Sequence, residues 1–216
     1  QTVSPCRPTW SLISPNIPKF SSVADLSPSR KERFEALFSA DPDPWNFKTS
    51  SYERKKRVQT IGALGGRRFH KGVEIGCATG VLTKELANIC DQIVGIDVSE
   101  CALSIARESL CSHLNIDFRQ GEIPSDWPAG TFDLIVLSEV LYFLNEQEVK
   151  TSSARAYRSL APDGVVLAIN WIGPTDLPLD GHEVVRIFEN AAGWKSASVM
   201  KTPMFRIDKL WKIHTL

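Results

Sequence analysis

Apolar positions along this chain follow two periods, and the change from one to the other divides it. Residues 1–28 show neither period, and they hold five of the thirteen prolines among several serines. This predicts an irregular amino-terminal arm. In "LSPSRKERFEALF", Ser27 reads as an N-cap and Pro28 as the first helical residue, with Phe34, Leu37 and Phe38 on one helix face. "DPDPWNF" (41–47) is too rich in proline for a helix or a central strand and predicts a loop that carries Trp45 and Phe47. Ser50 and Glu53 have capping-box spacing, and they open a second helix with Val58, Ile61 and Leu64 on its apolar side, stopped by Gly65-Gly66.

From residue 72 the pattern alternates. Strand-like runs at 72–76, 92–97, 116–121, 132–138 and 164–171 are separated by segments of helical period, including 146–159 and 181–192. Continuous apolar runs such as "LIVL" and "VVLAI" suit parallel strands covered on both faces. "SASVMKT" and "FRIDKLWKIHTL" flank Pro203 with too little chain between them for a crossover, so they are expected to pair antiparallel at the sheet edge. The expected fold is α/β: a Rossmann-like, doubly wound, mostly parallel seven-stranded sheet with an antiparallel edge strand. Residues 29–216 form one domain in this reading, and helices within 29–66 form a lid over it.

Composition removes several functions. Lys+Arg and Asp+Glu are 25 each, so the formal net charge is zero and no basic face for nucleic acid is expected. No run of about 18 apolar residues and no basic-then-apolar start is present, which predicts a soluble, cytoplasmic chain without a membrane span. The five cysteines are scattered, with no CxxC pair and no zinc-type histidine spacing, so they are expected to be free thiols with no metal site. Nothing in the pattern calls for an obligate protein partner.

The chemistry concentrates in "KGVEIGCATG" (71–80). Gly76 and Gly80 in a strand-to-helix turn allow a ligand to approach the backbone, or simply a tight turn. The loop lacks the third glycine of the dinucleotide pattern, which weakens a nicotinamide-dependent oxidoreductase reading. Glu74, two residues before the turn, is expected to favour a cation over a phosphate. Asp97 ends the next strand 21 positions after Gly76, where an acid accepts hydrogen bonds from a ribose diol, unless it merely caps the following helix through Ser99. Together these predict a nucleoside that carries a positive charge and no phosphate.

This pattern, E-x-G-x-x-x-G followed by a strand ending in Asp97, resembles the class I S-adenosylmethionine-dependent methyltransferases. "GEIPSDWPAGTFDLIVLSEVLYFL" and "RSLAPDGVVLAINW" are similar to later blocks of that family, in the right order. The resemblance implies S-adenosylmethionine as cofactor, with S-adenosylhomocysteine as product, held around Glu74, Gly76, Cys77, Gly80, Asp97 and Val98. It places Glu122 and Ile123 beside the adenine, and Ser138 and Glu139 beside the transferring methyl. Arg57 is a candidate for the cofactor carboxylate, although the run Arg54–Arg57 also reads as a solvated helix face.

The flanks carry a narrower resemblance. "DPDPWNFKTSSYERKKR" (41–57), "SEVLYFL" and "GPTDLPLDGHEV" (173–184) resemble the nodulation protein S family, rhizobial methyltransferases that N-methylate the free amine of the deacetylated non-reducing-end glucosamine in chitooligosaccharide Nod-factor precursors. On that reading Trp45, Tyr52, Tyr142 and Trp171 are candidate platforms for sugar rings, with Asn46, Asn170, Asp176, Asp180 and His182 available to hydroxyls. Glu139 or His182 would orient the amine and accept its proton. A different small-molecule N or O acceptor, and a non-catalytic adenosyl-binding module, fit the same cofactor residues.

Overall fold

The computed structural model describes residues 29–213. The expected arm, and with it Ser27 and Pro28, lies outside the described residues. Helix α1 (Arg30–Ala40) is capped by Ser29, whose hydroxyl accepts from the Glu32 N–H while the Glu32 carboxylate accepts from the Ser29 N–H at 2.7 Å. This reciprocal box is the physical reason the helix begins there. Phe34 and Phe38 are its buried residues. In the loop that follows, the Asp43 carboxylate accepts the N–H groups of Phe47 (2.7 Å) and Lys48 (3.2 Å), which folds the proline-rich segment back toward the domain.

Helix α2 (Ser51–Ala63) buries part of its expected face and a polar stripe beside it. Ser50 caps the Glu53 N–H, but the Glu53 side chain turns inward instead of closing a box. The buried residues are Glu53, Lys56 and Thr60, whereas Val58 is 62% exposed. Of the expected apolar side, Leu64 is buried and Ile61 packs against the core, so only Val58 misses; the stripe beside them is polar, which an apolar period alone does not reveal.

The alternating elements follow: β1 (Phe69–Ile75), α3 (Val81–Ala87), β2 (Cys90–Asp97), α4 (Glu100–Ser109), β3 (Ile116–Gln120), β4 (Phe132–Ser138), a single helical turn (Leu141–Phe143), α5 (Glu146–Ser159), β5 (Leu160–Trp171), α6 (Gly181–Asn190), β6 (Trp194–Lys201) and β7 (Phe205–Lys212). The sheet order is β3-β2-β1-β4-β5-β7-β6. Strands β1 to β5 pair in parallel, while β7 is antiparallel to both β5 and β6. The expected hairpin therefore forms the edge, with its later strand lying inside.

Successive residues of β4 alternate between two cores. Ile135 and Leu137 pack with Val184, Val185 and Phe188 of α6, while Leu134 and Val136 pack with Leu82 and Leu86 of α3. Burial on both faces explains why these strands read as unbroken apolar runs. The winding reverses between β1 and β4, so their carboxyl ends diverge and leave a crevice. Among the described residues no helix is long and apolar enough to cross a membrane, and no group of three metal-ligating side chains occurs.

Candidate active site

The crevice is a cavity of about 940 Å³ including its open mouth, walled by the carboxyl ends of β1, β2 and β4 and roofed by α1, the 41–50 loop and α2. Gly76 begins its floor. With φ +81° and a hypothetical Cβ 2.2 Å from Val140 Cγ1 and 2.5 Å from the Ser138 carbonyl oxygen, this position admits no side chain. The next residues pin the turn to the neighbouring strand, since the N–H groups of Gly76 and Cys77 both donate to the Ile96 carbonyl, at 2.8 and 3.1 Å.

Asp97 lines the cavity beside Val98 and is held from behind. The Ala78 N–H donates to one carboxylate oxygen (2.9 Å) and the Ser99 N–H to the other (3.0 Å). Burial pushes this carboxyl up from the usual range, against the pull of those two N–H bonds. The cap of α4 is Ser99, whose hydroxyl accepts from Ala102 N–H, so capping does not use up Asp97. Over this end lies an aromatic cover: Phe34 packs edge-on to Phe143, and Phe38 edge-on to Trp45. Helix α1 is tied down on two sides. Arg30 pairs with Glu122 (3.1 Å) and Glu148 (2.9 Å), while Glu35 accepts from the Ser99 hydroxyl at 2.8 Å.

The opposite end is polar and centres on Glu139, a non-glycine residue at φ +57°. Its Oε1 accepts from Lys56 Nζ at 2.8 Å, and its Oε2 from Tyr142 O–H (2.9 Å) and Trp171 N–H (2.7 Å). Lys56 also donates to Glu53 at 3.0 Å. Burial disfavours the Lys56 ammonium, but Glu139 and Glu53 outweigh it and hold its pKa above the ordinary value. Burial likewise drives the Tyr142 phenol well above its usual range, with Glu139 adding to the effect, so Tyr142 stays a donor. A strained backbone held by three donors marks a constructed position rather than a chance surface acid.

Of the residues singled out above, Gly76, Asp97, Val98, Glu122, Ile123, Ser138, Glu139, Trp45, Tyr142 and Trp171 line this one cavity. Trp45 stands at the Asp97 end, in a cluster with Val98 and Ala78, rather than at the Glu139 end where an acceptor platform was expected. The other candidates lie elsewhere. Arg57 donates to Glu85 (3.0 Å) and to the Phe47 carbonyl (2.8 Å), which fixes the loop before α2. His182 sits in the first turn of α6 with Nδ1 3.0 Å from Arg206 Nη1; because a guanidinium only donates, that nitrogen is its acceptor. Asp180 is the N-cap of the same helix. Tyr52 packs edge-on against Trp171 and Phe205 and supports the cavity wall from behind. Cys77 is buried under the turn, and Gly80 (φ +77°) meets Leu110, Phe118 and Ala106 on the far side, so its role is packing.

Glu74 overturns its expected part. Its carboxyl is buried, accepts from the Thr83 hydroxyl at 2.6 Å behind the turn, and is pushed by burial to about 8, so it is mostly protonated at neutral pH. A folded carboxyl that keeps a proton the unfolded chain releases near 4.5 loses stability as pH climbs from there toward 8. Glu74→Gln is therefore expected to flatten the decline of stability between about pH 5 and 8, a difference on the order of 3 kcal/mol at neutrality. Parallel Tm curves for the two proteins would refute this.

Residues with no site role expected from sequence complete the site: Arg30, Phe38, Glu53, Lys56 and Phe143 all line the cavity. The available signal was the Glu53–Lys56–Thr60 spacing on a helix with few apolar residues.

The strand order, the glycine turn, the strand-ending Asp97 and a cavity at the switch point define the fold of the class I S-adenosylmethionine-dependent methyltransferases. Within that class the chain belongs to the nodulation protein S family, whose profile, described as "Nodulation protein S (NodS)", matches residues 31–169. Nodulation protein S of Rhizobium tropici is 32% identical over 127 residues, which is 58% of this chain and 53% of that protein. The chain thus spans little more than half the length of that curated relative. Among solved structures, a Pseudomonas syringae protein described as a candidate methyltransferase is 35% identical with a TM-score of 0.65, covering 75% of this chain and 99% of that one. The N-methyltransferase NodS from Bradyrhizobium japonicum WM9, in complex with S-adenosylhomocysteine, superimposes with a TM-score of 0.74 over 86% of this chain and 100% of that one; at 22% identity the likeness is one of fold.

Proposed function

We propose that this protein is an S-adenosylmethionine-dependent N-methyltransferase whose acceptor is the free amine of the non-reducing-end glucosamine of a deacetylated chitooligosaccharide, in Nod-factor synthesis. The observation that carries the reading is a single cavity with an anchored carboxylate, Asp97, at one end and a second, Glu139, at the other. The residues present suit the cofactor. Asp97 keeps acceptor capacity toward the cavity for a diol, and Val98, Ile123 and Phe34 supply apolar walls for a base. Four lining carboxyls (Glu53, Asp97, Glu122, Glu139) face two lining cations, Arg30 and Lys56, each already shared between two acids. That balance favours a cationic ligand over a pyrophosphate, and it comes from residues other than Glu74.

When bound, S-adenosylmethionine supplies an activated methyl on a sulfonium. The chain's own part is to position the acceptor, exclude water and manage a proton. Trp171 and Tyr142 wall the Glu139 end and offer apolar faces to a sugar ring, while Glu139 Oε1 is the nearest acceptor for a nitrogen-bound proton. Helices α1 and α2 act as the lid. Occupation of the cavity by S-adenosylhomocysteine should slow proteolysis within residues 30–60, and equal rates with and without it would count against a lid.

The deciding experiment is mass spectrometry of a chitooligosaccharide with one free terminal amine, run beside the fully acetylated oligomer, with calorimetry of S-adenosylhomocysteine and NAD. A methyl gained only by the free amine is expected. No binding of S-adenosylhomocysteine would sink the cofactor reading, and binding without any methylation would leave an adenosyl-binding module.

A further inference from the structure

Lys56 stands where three parts of the fold meet. It reaches from α2 to the Glu139 carboxylate at the end of β4, shares Glu53 on its own helix, and lies 5.3 Å from the centroid of the Tyr52 ring. Because Tyr142 and the Trp171 backbone occupy Oε2 of Glu139, Oε1 is the oxygen that Lys56 holds and that an acceptor nitrogen must share.

This placement bears on a difficulty in amine methylation. An isolated carboxylate beside the acceptor would stabilise the ammonium form, typically by about 1 to 3 pH units. An ammonium has no lone pair and cannot take a methyl. A fixed cation within hydrogen-bond distance of the same oxygen opposes a second cation there. The charged and titratable groups around Lys56 are Tyr52, Glu53 and Arg57 on α2, with Arg57 bound to Glu85 of α3, then Glu139 after β4 and Tyr142 in the following turn. Arg57 lies in an ion pair of its own, so Lys56, although shared with Glu53, is the cation that opposes a second one at Oε1 of Glu139.

We propose that Lys56 is a specificity-determining residue that sets the protonation state of the acceptor: its ammonium on Glu139 makes the site take the amine as the free base and reject the ammonium. The proposal rests on the methyltransferase reading. The proton lost by the amine on binding passes to solvent, so no other reactant is needed.

Proton release on binding tests it directly. With S-adenosylhomocysteine present, the singly deacetylated chitooligosaccharide is titrated at pH 6 in buffers of different ionisation enthalpy. The wild-type protein should release about one proton per acceptor bound, since the free amine is mostly protonated there. Lys56→Met should release almost none, and the acid limb of its kcat profile should move up by about 1 to 3 pH units. Lys56→Arg should restore the wild-type release. Glu53→Gln removes a negative charge and should move the acid limb the other way, to lower pH; it carries the test if Lys56→Met does not fold.

Equal proton release by wild type and Lys56→Met, or an acid limb unmoved in Lys56→Met and Glu53→Gln, would overturn the proposal, as would acceptor binding by wild type without release. A merely structural Lys56 would lower kcat at every pH without moving the limb. Failure of wild type to bind S-adenosylhomocysteine would instead strike the cofactor reading.

Discussion

Gly76→Ala is expected to destabilise the protein by about 2 to 4 kcal/mol and to lower affinity for S-adenosylhomocysteine at least about a hundredfold. Two costs add. A left-handed backbone costs an L-residue about 1 to 2 kcal/mol, and the new methyl must sit where the Ser138 carbonyl oxygen and Val140 Cγ1 already are, 2.5 and 2.2 Å away. Val140 can turn aside, but the carbonyl belongs to β4 and can move only by shifting the strand end. That end carries Ser138 and Glu139, so the damage spreads from the cofactor turn to the acceptor end. Gly80→Ala provides the contrast: its φ is also positive, but its nearest neighbours are the side chains of Leu110, Phe118 and Ala106. Stability should fall while affinity per folded molecule holds. Urea unfolding and calorimetry separate the two, and a Gly76→Ala protein that binds within threefold of wild type would disprove the close approach.

Glu139→Gln should lower turnover by at least tenfold and stability by about 2 kcal/mol, with affinity for S-adenosylhomocysteine nearly unchanged. The amide is isosteric but has only one oxygen. Either its NH2 faces the Lys56 ammonium, or it faces the Tyr142 hydroxyl and the Trp171 N–H, and both choices set donor against donor. Because Glu139 retains some solvent contact, the penalty should fall below that of a fully buried pair. Asp97 lies at the other end of the cavity, so cofactor contacts survive. Parallel loss of turnover and affinity would mean that Glu139 only holds the fold together.

The strands were legible because burial on both faces leaves no polar alternation: "LIVL" and "VVLAI" announce themselves as parallel strands, whereas their order in the sheet is set by packing that no local pattern carries. The Gly76 and Asp97 end of the cavity was legible for a related reason, since a glycine with positive φ and an acid at a strand terminus both follow from local geometry. What sequence concealed was charge inside. Lys56 sits in a run of four cations, and the default place for such a run is water; only the depth of α2 against the sheet reveals that Lys56 points inward while Arg54, Lys55 and Val58 point out. Glu74 misled for the opposite reason. It does lie beside the glycine turn, but alternation along β1 sends its side chain to Thr83, where burial disfavours the charge that a cationic ligand would need. His182 was an isolated polar residue in a loop-rich segment, and the first turn of α6 claims it.

The matched family segment stops at residue 169, two positions before Trp171. Asp97 and Glu139 fall within it; the indole wall, α6 and the β6–β7 hairpin fall beyond. The pocket is thus assembled across a seam, with Asp97 and Glu139 drawn from the matched block and the indole wall of Trp171 drawn from outside it. In the proposed reading, the chain after β5 is therefore the place where the acceptor end can be reshaped without touching the Asp97 end.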